Sequence, residues 1–471
     1  MQILIWLGLV ALCLSLILTP VFREIFRLCG FVDLPNQSRK IHARPIPRAG
    51  GTAIVASYIA SFFIVQLAAG IMNSQLALVW KVLPSASVIF VVGLIDDLWG
   101  LKHWQKLIGQ IVAAGVACWS GILVLDVVGV HAHAWWSIPA TILWLLACTN
   151  AFNLVDGMDG LAAGVGLFAT LTIFIAALLQ NNMALAMATV ALAGCLLGFL
   201  RYNFNPATTF LGDSGSLLIG FALGCYGIIW TQKSATFLGM TAPLMALSIP
   251  LFDVTLAIAR RFLRTQPIFS ADRGHIHHRL LDRGMSPRKA VLLLYGLSSM
   301  VAVFSLLQSF SHSNQIASLV VIVFCAVAWM GIQYLEYVEF TLAGRFLLRG
   351  DLQRSVKSQI DLDAFSVALA GVKNPEECLG LVGQTAGKFG FDLIQGQIAG
   401  KIFARSCDSP PCWTVRVPLD ADDFLELERV GGASTIASSA GPFIDTVRSG
   451  LLVKSRAFHA VRDRNPVAVS A

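Results

Sequence analysis

The sequence predicts an all-α polytopic membrane protein of about eleven transmembrane helices, followed by a small C-terminal soluble α+β domain. Three observations carry this expectation. The 471-residue chain is 56% hydrophobic and only 13% charged, where soluble domains carry roughly 25% charged residues. Leu161–Leu200 and Ala290–Leu335 contain no Asp, Glu, Lys or Arg, and each stretch is long enough for two spans of about 20 residues. Beyond Tyr334 the apolar runs stop and charges and prolines return.

The apolar runs place spans near residues 2–19, 51–70, 77–95, 107–125, 136–149, 161–179, 183–200, 214–232, 238–259, 290–309 and 316–334. The first run, Ile3 to Leu18, lacks a basic flank and a small-x-small cleavage site, so it reads as a retained span rather than a signal peptide. Polar turns, Gln180-Asn181-Asn182 and Ser311-His312-Ser313-Asn314, divide the two charge-free stretches. The loops around 20–48, 96–106, 150–160, 201–213 and 260–289 hold 6, 2, 0, 1 and 8 Lys/Arg, 17 in all, whereas the opposite set holds only Lys81 and Lys233. The positive-inside rule makes the first set cytoplasmic, with the amino terminus outside and the carboxyl terminus inside. Trp135-Trp136 reads as an interfacial belt, and His131-Ala-His133 as a surface loop with metal binding as the alternative. The +7 net charge follows the cytoplasmic loops, which calls for no nucleic acid. Most of the ten cysteines lie in apolar runs and act as small hydrophobes, and Cys407 and Cys412 alone make a weak zinc signal. The division is residues 1–345 for the membrane domain and 346–471 for a cytoplasmic soluble domain, helical over Asp361–Phe391 and stranded over Trp413–Leu427.

Chemistry-bearing residues gather in the five cytoplasmic loops. Loop one, Asp33 to Gly51, combines Arg39, Lys40 and His42 with stiffening prolines and a Gly50-Gly51 pair, and suits either phosphate or anionic headgroups. Loop two opens on Asp96-Asp97, followed by Lys102 and Lys106. Adjacent carboxylates at a helix end can bind a dication or take a proton, and a solvated acidic helix end is the alternative. Loop three is the most informative: Asn150, Asn153, Asp156 and Asp159 recur every three residues, so a helical end would put them approximately on one face. A charge at the bilayer centre costs about 2.5–3.5 kcal/mol on insertion scales, which points to a site here, with a polar interhelical loop as the alternative. Its oxygen ligands suit Mg²⁺ or Mn²⁺ beside substrate phosphates. Loop four, Gly212-Asp213-Ser214-Gly215-Ser216, precedes an apolar helix that Asp213 or Ser214 would cap, and whose N-terminus favours phosphate. Loop five carries Arg273, His275, His277 and His278, set for transition-metal ligation or for an anionic substrate; the hard oxygens elsewhere and the basic surroundings favour the substrate.

Acidic oxygen ligands, basic groups and glycine turns on one face of a multi-span protein are what metal-assisted phosphoryl transfer to a lipid requires. A transporter would hold its ionisable residues near the midplane, with access from both sides. An intramembrane metalloprotease would carry His-Glu-x-x-His, which the sequence lacks.

Taken in order, the five loops resemble those of the polyprenyl-phosphate N-acetylhexosamine-1-phosphate transferases, over roughly residues 1–345. Phe269-Ser270-Ala-Asp272-Arg273-Gly-His275-Ile-His277-His278 is similar to the bacterial branch that starts O-antigen, enterobacterial common antigen or teichoic acid chains, more than to phospho-N-acetylmuramoyl-pentapeptide transferase. The resemblance implies a bacterial inner-membrane enzyme that joins a UDP-N-acetylhexosamine, GlcNAc first among the candidates, to undecaprenyl phosphate and releases UMP. It implies Mg²⁺, with Mn²⁺ as a substitute, on Asp213 and Asn153. It places Asp96 or Asp97 at the lipid phosphate, and Asp156 and Asp159 beside metal and nucleotide. Arg273, His275, His277 and His278 would then contact diphosphate and sugar, with Arg39, Lys40, His42, Lys106 and Asn150 completing the substrate site. A homodimer is the candidate assembly. The tail lies outside the minimal pattern and is expected to be dispensable for catalysis.

Overall fold

The computed structural model describes residues 1–33, 45–69, 76–124, 126–127, 130–131, 134–231, 241–263, 274–310, 314–335, 351–372, 374–389, 391, 393–398, 401–405, 413–419, 423–429 and 440–464. The chain forms two compact units, Met1–Tyr337 and Val338–Ala471. The boundary expected at 345/346 lies outside the described residues.

The first unit is helical: α1 (Gln2–Leu28), α2 (Gly50–Ala69), α3 (Ala77–Trp99), α4 (His103–Trp119), α5 (Ala134–Val155), α6 (Leu161–Leu179), α7 (Met183–Asn203), α8 (Gly212–Thr231), α9 (Thr241–Ala246), α10 (Ser248–Leu263), α11 (Ile276–Asp282), α12 (Pro287–Phe310) and α13 (Asn314–Tyr334). Among the described residues eight helices are long and apolar enough to cross a membrane: α1, α2, α3, α5, α6, α7, α8 and α12. Of the other three expected spans, residues 107–125 lie largely in the 17-residue α4, and residues 316–334 lie in the apolar α13. The run at 238–259 is broken at Leu247 into α9 and α10. Pro250 explains the break, since it has no N–H to donate to the carbonyl of Ala246, four residues earlier.

Helix α8 is the axle of this unit. It packs against α2, α3, α5 and α6 and is buried over nearly its whole length. Glycines permit this crowding: a Cβ on Gly51 would sit 2.3 Å from the Gly215 nitrogen, and one on Gly220 would sit 2.5 Å from the Cys148 carbonyl oxygen. The same device joins α1 to α7, where a Cβ on Gly194 would lie 2.5 Å from the Gly8 carbonyl oxygen. There Ser15 also donates a 2.7 Å hydrogen bond to the Cys195 carbonyl. Small residues let helices approach closely in a solvent where apolar burial alone gives no drive to associate.

Two short strands, β1 (Val32–Asp33) and β2 (Ile46–Pro47), pair antiparallel and close the base of loop one. Arg48 donates to Asp33 at 2.6 Å across that base. A second pair, β3 (Asp126–Val127) and β4 (Val130–His131), lies in the α4–α5 connection.

The second unit is α+β, as expected. Strands β5 (Leu393–Ile398), β6 (Lys401–Arg405), β7 (Trp413–Pro418) and β8 (Phe424–Arg429) form an antiparallel sheet in the order β6-β5-β8-β7. Ile398, Val417, Leu425 and Leu427 join a buried cluster with Leu379, Phe389 and Phe443 from its helical segments. The stretch read as helical over Asp361–Phe391 holds parts of two helices. Asp351–Gly371 ends before Asn374, whose side chain accepts from Glu377 N–H at 2.8 Å and starts a new helix with Pro375 in its first turn. That is a standard N-cap with proline just inside.

Candidate active site

The ends of α3, α5 and α7 and the starts of α4, α6 and α8 come together, and the loop residues meet there. The centre is the first turn of α8. Gly212 adopts φ +73°, and the chain enters the helix with Asp213 and Ser214 N–H groups unpaired within it. Neither Asp213 nor Ser214 caps them. The cap is Asp97 of α3: its Oδ1 accepts from Asp213 N–H at 2.8 Å, and its Oδ2 accepts from Ser214 N–H at 2.9 Å and Ser214 Oγ at 2.6 Å. A carboxylate complements the positive end of a helix. The fit is close, since a Cβ on Gly212 would fall 2.6 Å from Asp97 Oδ2.

Asp213 is thereby fixed in the cleft. Its Oδ1 accepts from Asn153 Nδ2 at 2.9 Å, and Asn153 Nδ2 also reaches Ser216 Oγ at 3.0 Å. Its Oδ2 forms a short ion pair with Lys106. The same ammonium binds Asp96 Oδ2 at 2.7 Å, while Asp96 Oδ1 accepts from Leu101 N–H at 2.6 Å. Burial works against the Lys106 charge, but Asp213 and Asp96 outweigh it and raise its pKa, so it stays cationic at neutral pH.

Loop three departs from a single helical face. Helix α5 ends at Val155, and Gly157 turns the chain away. Asn150 faces α4: its carboxamide exchanges two hydrogen bonds with Gln110, at 3.1 and 2.7 Å. Asp159 turns to the loop after α7, where its Oδ2 accepts from Asn205 Nδ2 and Ala207 N–H, both at 3.0 Å. Asp156 remains in the cleft. Burial pushes its carboxyl pKa well above the ordinary value, Asp213 and Asp97 push the same way, and Arg48 opposes them.

Loop five reaches this cleft through His277. A Cβ on Gly157 would sit 2.5 Å from His277 Nε2, so the two touch because residue 157 has no side chain. His277 is buried, and desolvation lowers its pKa to about 4, leaving it neutral at pH 7. Its ring stacks parallel to His275 at 5.7 Å and lies 4.3 Å from His278. His275 Nδ1 is 3.0 Å from Asp253 Oδ2 on α10. Arg39, Lys40, His42 and Arg273 lie outside the described residues.

The donor set fits a hard dication. The Asp213 and Asp156 carboxylates and the Asn153 side-chain carbonyl are hard oxygen donors of the kind such an ion takes. Among the described residues no group of three or more His, Cys, Asp or Glu side chains is arranged to hold a metal ion by itself.

Residues 79–231 match the profile described as glycosyl transferase family 4. The chain is also 37% identical to a probable undecaprenyl-phosphate N-acetylglucosaminyl 1-phosphate transferase of Bacillus subtilis (strain 168), over 61% of this chain and 79% of that protein. The chain belongs to glycosyl transferase family 4. It is also similar to a decaprenyl-phosphate N-acetylglucosaminephosphotransferase of Mycobacterium tuberculosis (strain CDC 1551 / Oshkosh), with 34% identity over 61% of this chain and 78% of that one. A phospho-N-acetylmuramoyl-pentapeptide-transferase of Moorella thermoacetica (strain ATCC 39073 / JCM 9320) is 34% identical over 55% and 83%. These matches bear out the family that the five loops resemble. Within this glycosyl transferase, the profile spans α3 to α8, and so covers Asp96, Asp97, Lys106, Asn153, Asp156, Asp159 and Asp213.

Three participants escaped the sequence reading: Gln110, Ser216 and Asp253. Gln110 and Asp253 did leave a signal. Each is a strongly polar residue inside an apolar run, where such groups mark function or a buried partner.

Proposed function

We propose that the protein transfers an N-acetylhexosamine-1-phosphate, with GlcNAc as the first candidate sugar, from a UDP-sugar to undecaprenyl phosphate. UMP is released and a lipid-linked cell-envelope glycan is begun. The observation that carries this reading is the Lys106 ammonium held between Asp96 and Asp213 at the capped start of α8. It is a cation and carboxylate cluster at the end of lipid-embedded helices, where a lipid phosphate and a nucleotide diphosphate can meet.

In this reading a lipid phosphate oxygen attacks the β-phosphorus of the UDP-sugar. A new P–O bond forms, the bond from that phosphorus to the bridging oxygen breaks, and the electron pair leaves with UMP. The lipid phosphate is already an anion, so no covalent enzyme intermediate is required. Asp213, Asn153 and Asp156 would hold Mg²⁺, or Mn²⁺ in its place, which supplies charge neutralisation at the diphosphate when bound. Lys106 is placed to exchange its carboxylate partners for phosphate oxygens as negative charge develops. Asp97 holds the α8 amide groups in position, which leaves Asp96 as the carboxylate nearer to hand for the lipid phosphate. His275, His277 and His278 would contact diphosphate and sugar from loop five. The charge asymmetry of the loops supports a cytoplasmic active site, with the amino terminus outside.

The name of the Moorella relative keeps a second donor in view, one that carries a phospho-N-acetylmuramoyl-pentapeptide group. One assay decides between them. Purified protein in detergent, given undecaprenyl phosphate and a panel of UDP-sugars that includes this donor, should release UMP with one of them, in a lipid-dependent and chelator-sensitive way. Silence across the panel from folded protein would overturn the reading.

A further inference from the structure

Asp253 lies in α10 and is 2% exposed. Both its oxygens are engaged with loop five. Oδ2 meets His275 Nδ1 at 3.0 Å, and Oδ1 accepts from the Ile276 N–H at 2.8 Å. A carboxylate only accepts, so it fixes the proton of His275 on Nδ1 and leaves Nε2 as the ring's other end. The consequences reach the cleft in two steps. The His275 ring lies parallel to His277, 10° apart, and His277 Nε2 rests against Gly157, one residue from Asp156. His275 is itself only 6% exposed, so its ring is held by these contacts rather than by solvent.

We propose that Asp253 is a positioning residue for the sugar-nucleotide donor, acting through His275 by setting its tautomer and the stacked arrangement of His275 and His277 beside Gly157. The proposal rests on the UDP-sugar reading given above. It assigns to α10 a part in the reaction that neither the loop motifs nor the family profile over residues 79–231 contains. A replacement carboxamide separates the two duties of the carboxylate. In Asp253→Asn the oxygen can still accept from Ile276, while the amide nitrogen donates to His275 Nδ1 and drives the ring proton to Nε2.

The test is a double-mutant cycle on steady-state UMP release, with donor and lipid varied separately. Wild-type activity on the same panel first establishes the donor, so silence there indicts the functional reading and not this one. Given an active wild type, Asp253→Asn should raise the donor KM about tenfold or more and leave the lipid KM within about threefold. Asp253→Asn should add nothing further in a His275→Gln background, because the effect passes through that ring. Ile276→Pro is the structural control. His275 sits at φ −59° and ψ 150°, which a following proline accepts, and residue 276 is the first of α11, so this change removes the backbone bond to Asp253 and the half-buried isoleucine side chain while leaving the His275 ring and the Asp253 carboxylate in place. It should leave the donor KM within about threefold. Additive losses in the cycle, an unchanged donor KM in Asp253→Asn, or the same loss in Ile276→Pro would each overturn the proposal. Should Asp253→Asn not fold, the comparison of His275→Gln with Ile276→Pro decides: a raised donor KM in the first alone supports it, and any other pattern overturns it.

Discussion

At the scale of residues, the site is a set of carboxylates given different tasks by their partners. Asp213 stands at the centre, and Asp213→Asn should lower turnover by about a hundredfold or more while the protein still inserts and folds. Lys106 serves two acids at once, so Lys106→Gln leaves Asp96 and Asp213 facing each other without a cation. That variant should melt below wild type in chelator, and added Mg²⁺ should raise its melting temperature more than it raises the wild type's. An equal gain in both would mean that the lysine and the ion do not share a place. His277 gives a pH signature. Its folded-state pKa of about 4 lies below the ordinary histidine value, so the unfolded chain binds the proton more readily. Its stabilising share is therefore complete above about pH 6.5 and is lost as the pH falls toward 4. Melting curves across that window should show a steeper loss for wild type than for His277→Gln. The identities of these side chains were legible because ionisable residues are rare beside the long apolar runs of this sequence. Their pairings were not. Asp96 and Asp97 are neighbours in sequence, yet one binds a lysine and the other caps a helix from outside, and only the packing of α3 on α8 decides which.

Elements add a constraint of their own. The Gln110–Asn150 pair clamps α4 to α5, and Lys106 and Asn153 lie one turn away on those same two helices. Truncating one partner strands a buried amide, so Gln110→Ala should cost about 1–3 kcal/mol in stability. It should also weaken turnover by loosening Lys106 relative to Asp213. Wild-type activity together with wild-type melting would mean that the clamp positions nothing. Spans were largely legible from hydropathy, since a lipid-facing helix must be apolar along its length. The run at 238–259 was not, because a window of apolar residues does not register the missing amide of Pro250 that breaks it at Leu247. The three-residue rhythm of Asn150, Asn153, Asp156 and Asp159 failed for a related reason. It assumed that α5 continues, whereas the helix stops at Val155 and gives Asp159 to another loop.

For the whole molecule, the carboxylate cluster is built within the first unit, and the second folds around its own core. A chain ended at Arg349 should keep lipid-dependent UMP release within a few-fold of the full-length protein. Loss of turnover in a folded truncation would give the tail a catalytic part. One property of α8 reaches beyond catalysis. It is the least hydropathic of the eight candidate spans and also the most thoroughly enclosed. A segment entering a bilayer alone is sorted by its own apolarity, and this one carries five glycines, two serines and Asp213 among its 20 residues. Its passage into the membrane therefore depends on helices already there to receive it. During synthesis α2, α3, α5 and α6 emerge before it, in time to form that berth. Enlarging Gly215 or Gly220 would then appear in the cell as protein that never assembles, well before any enzyme could be assayed.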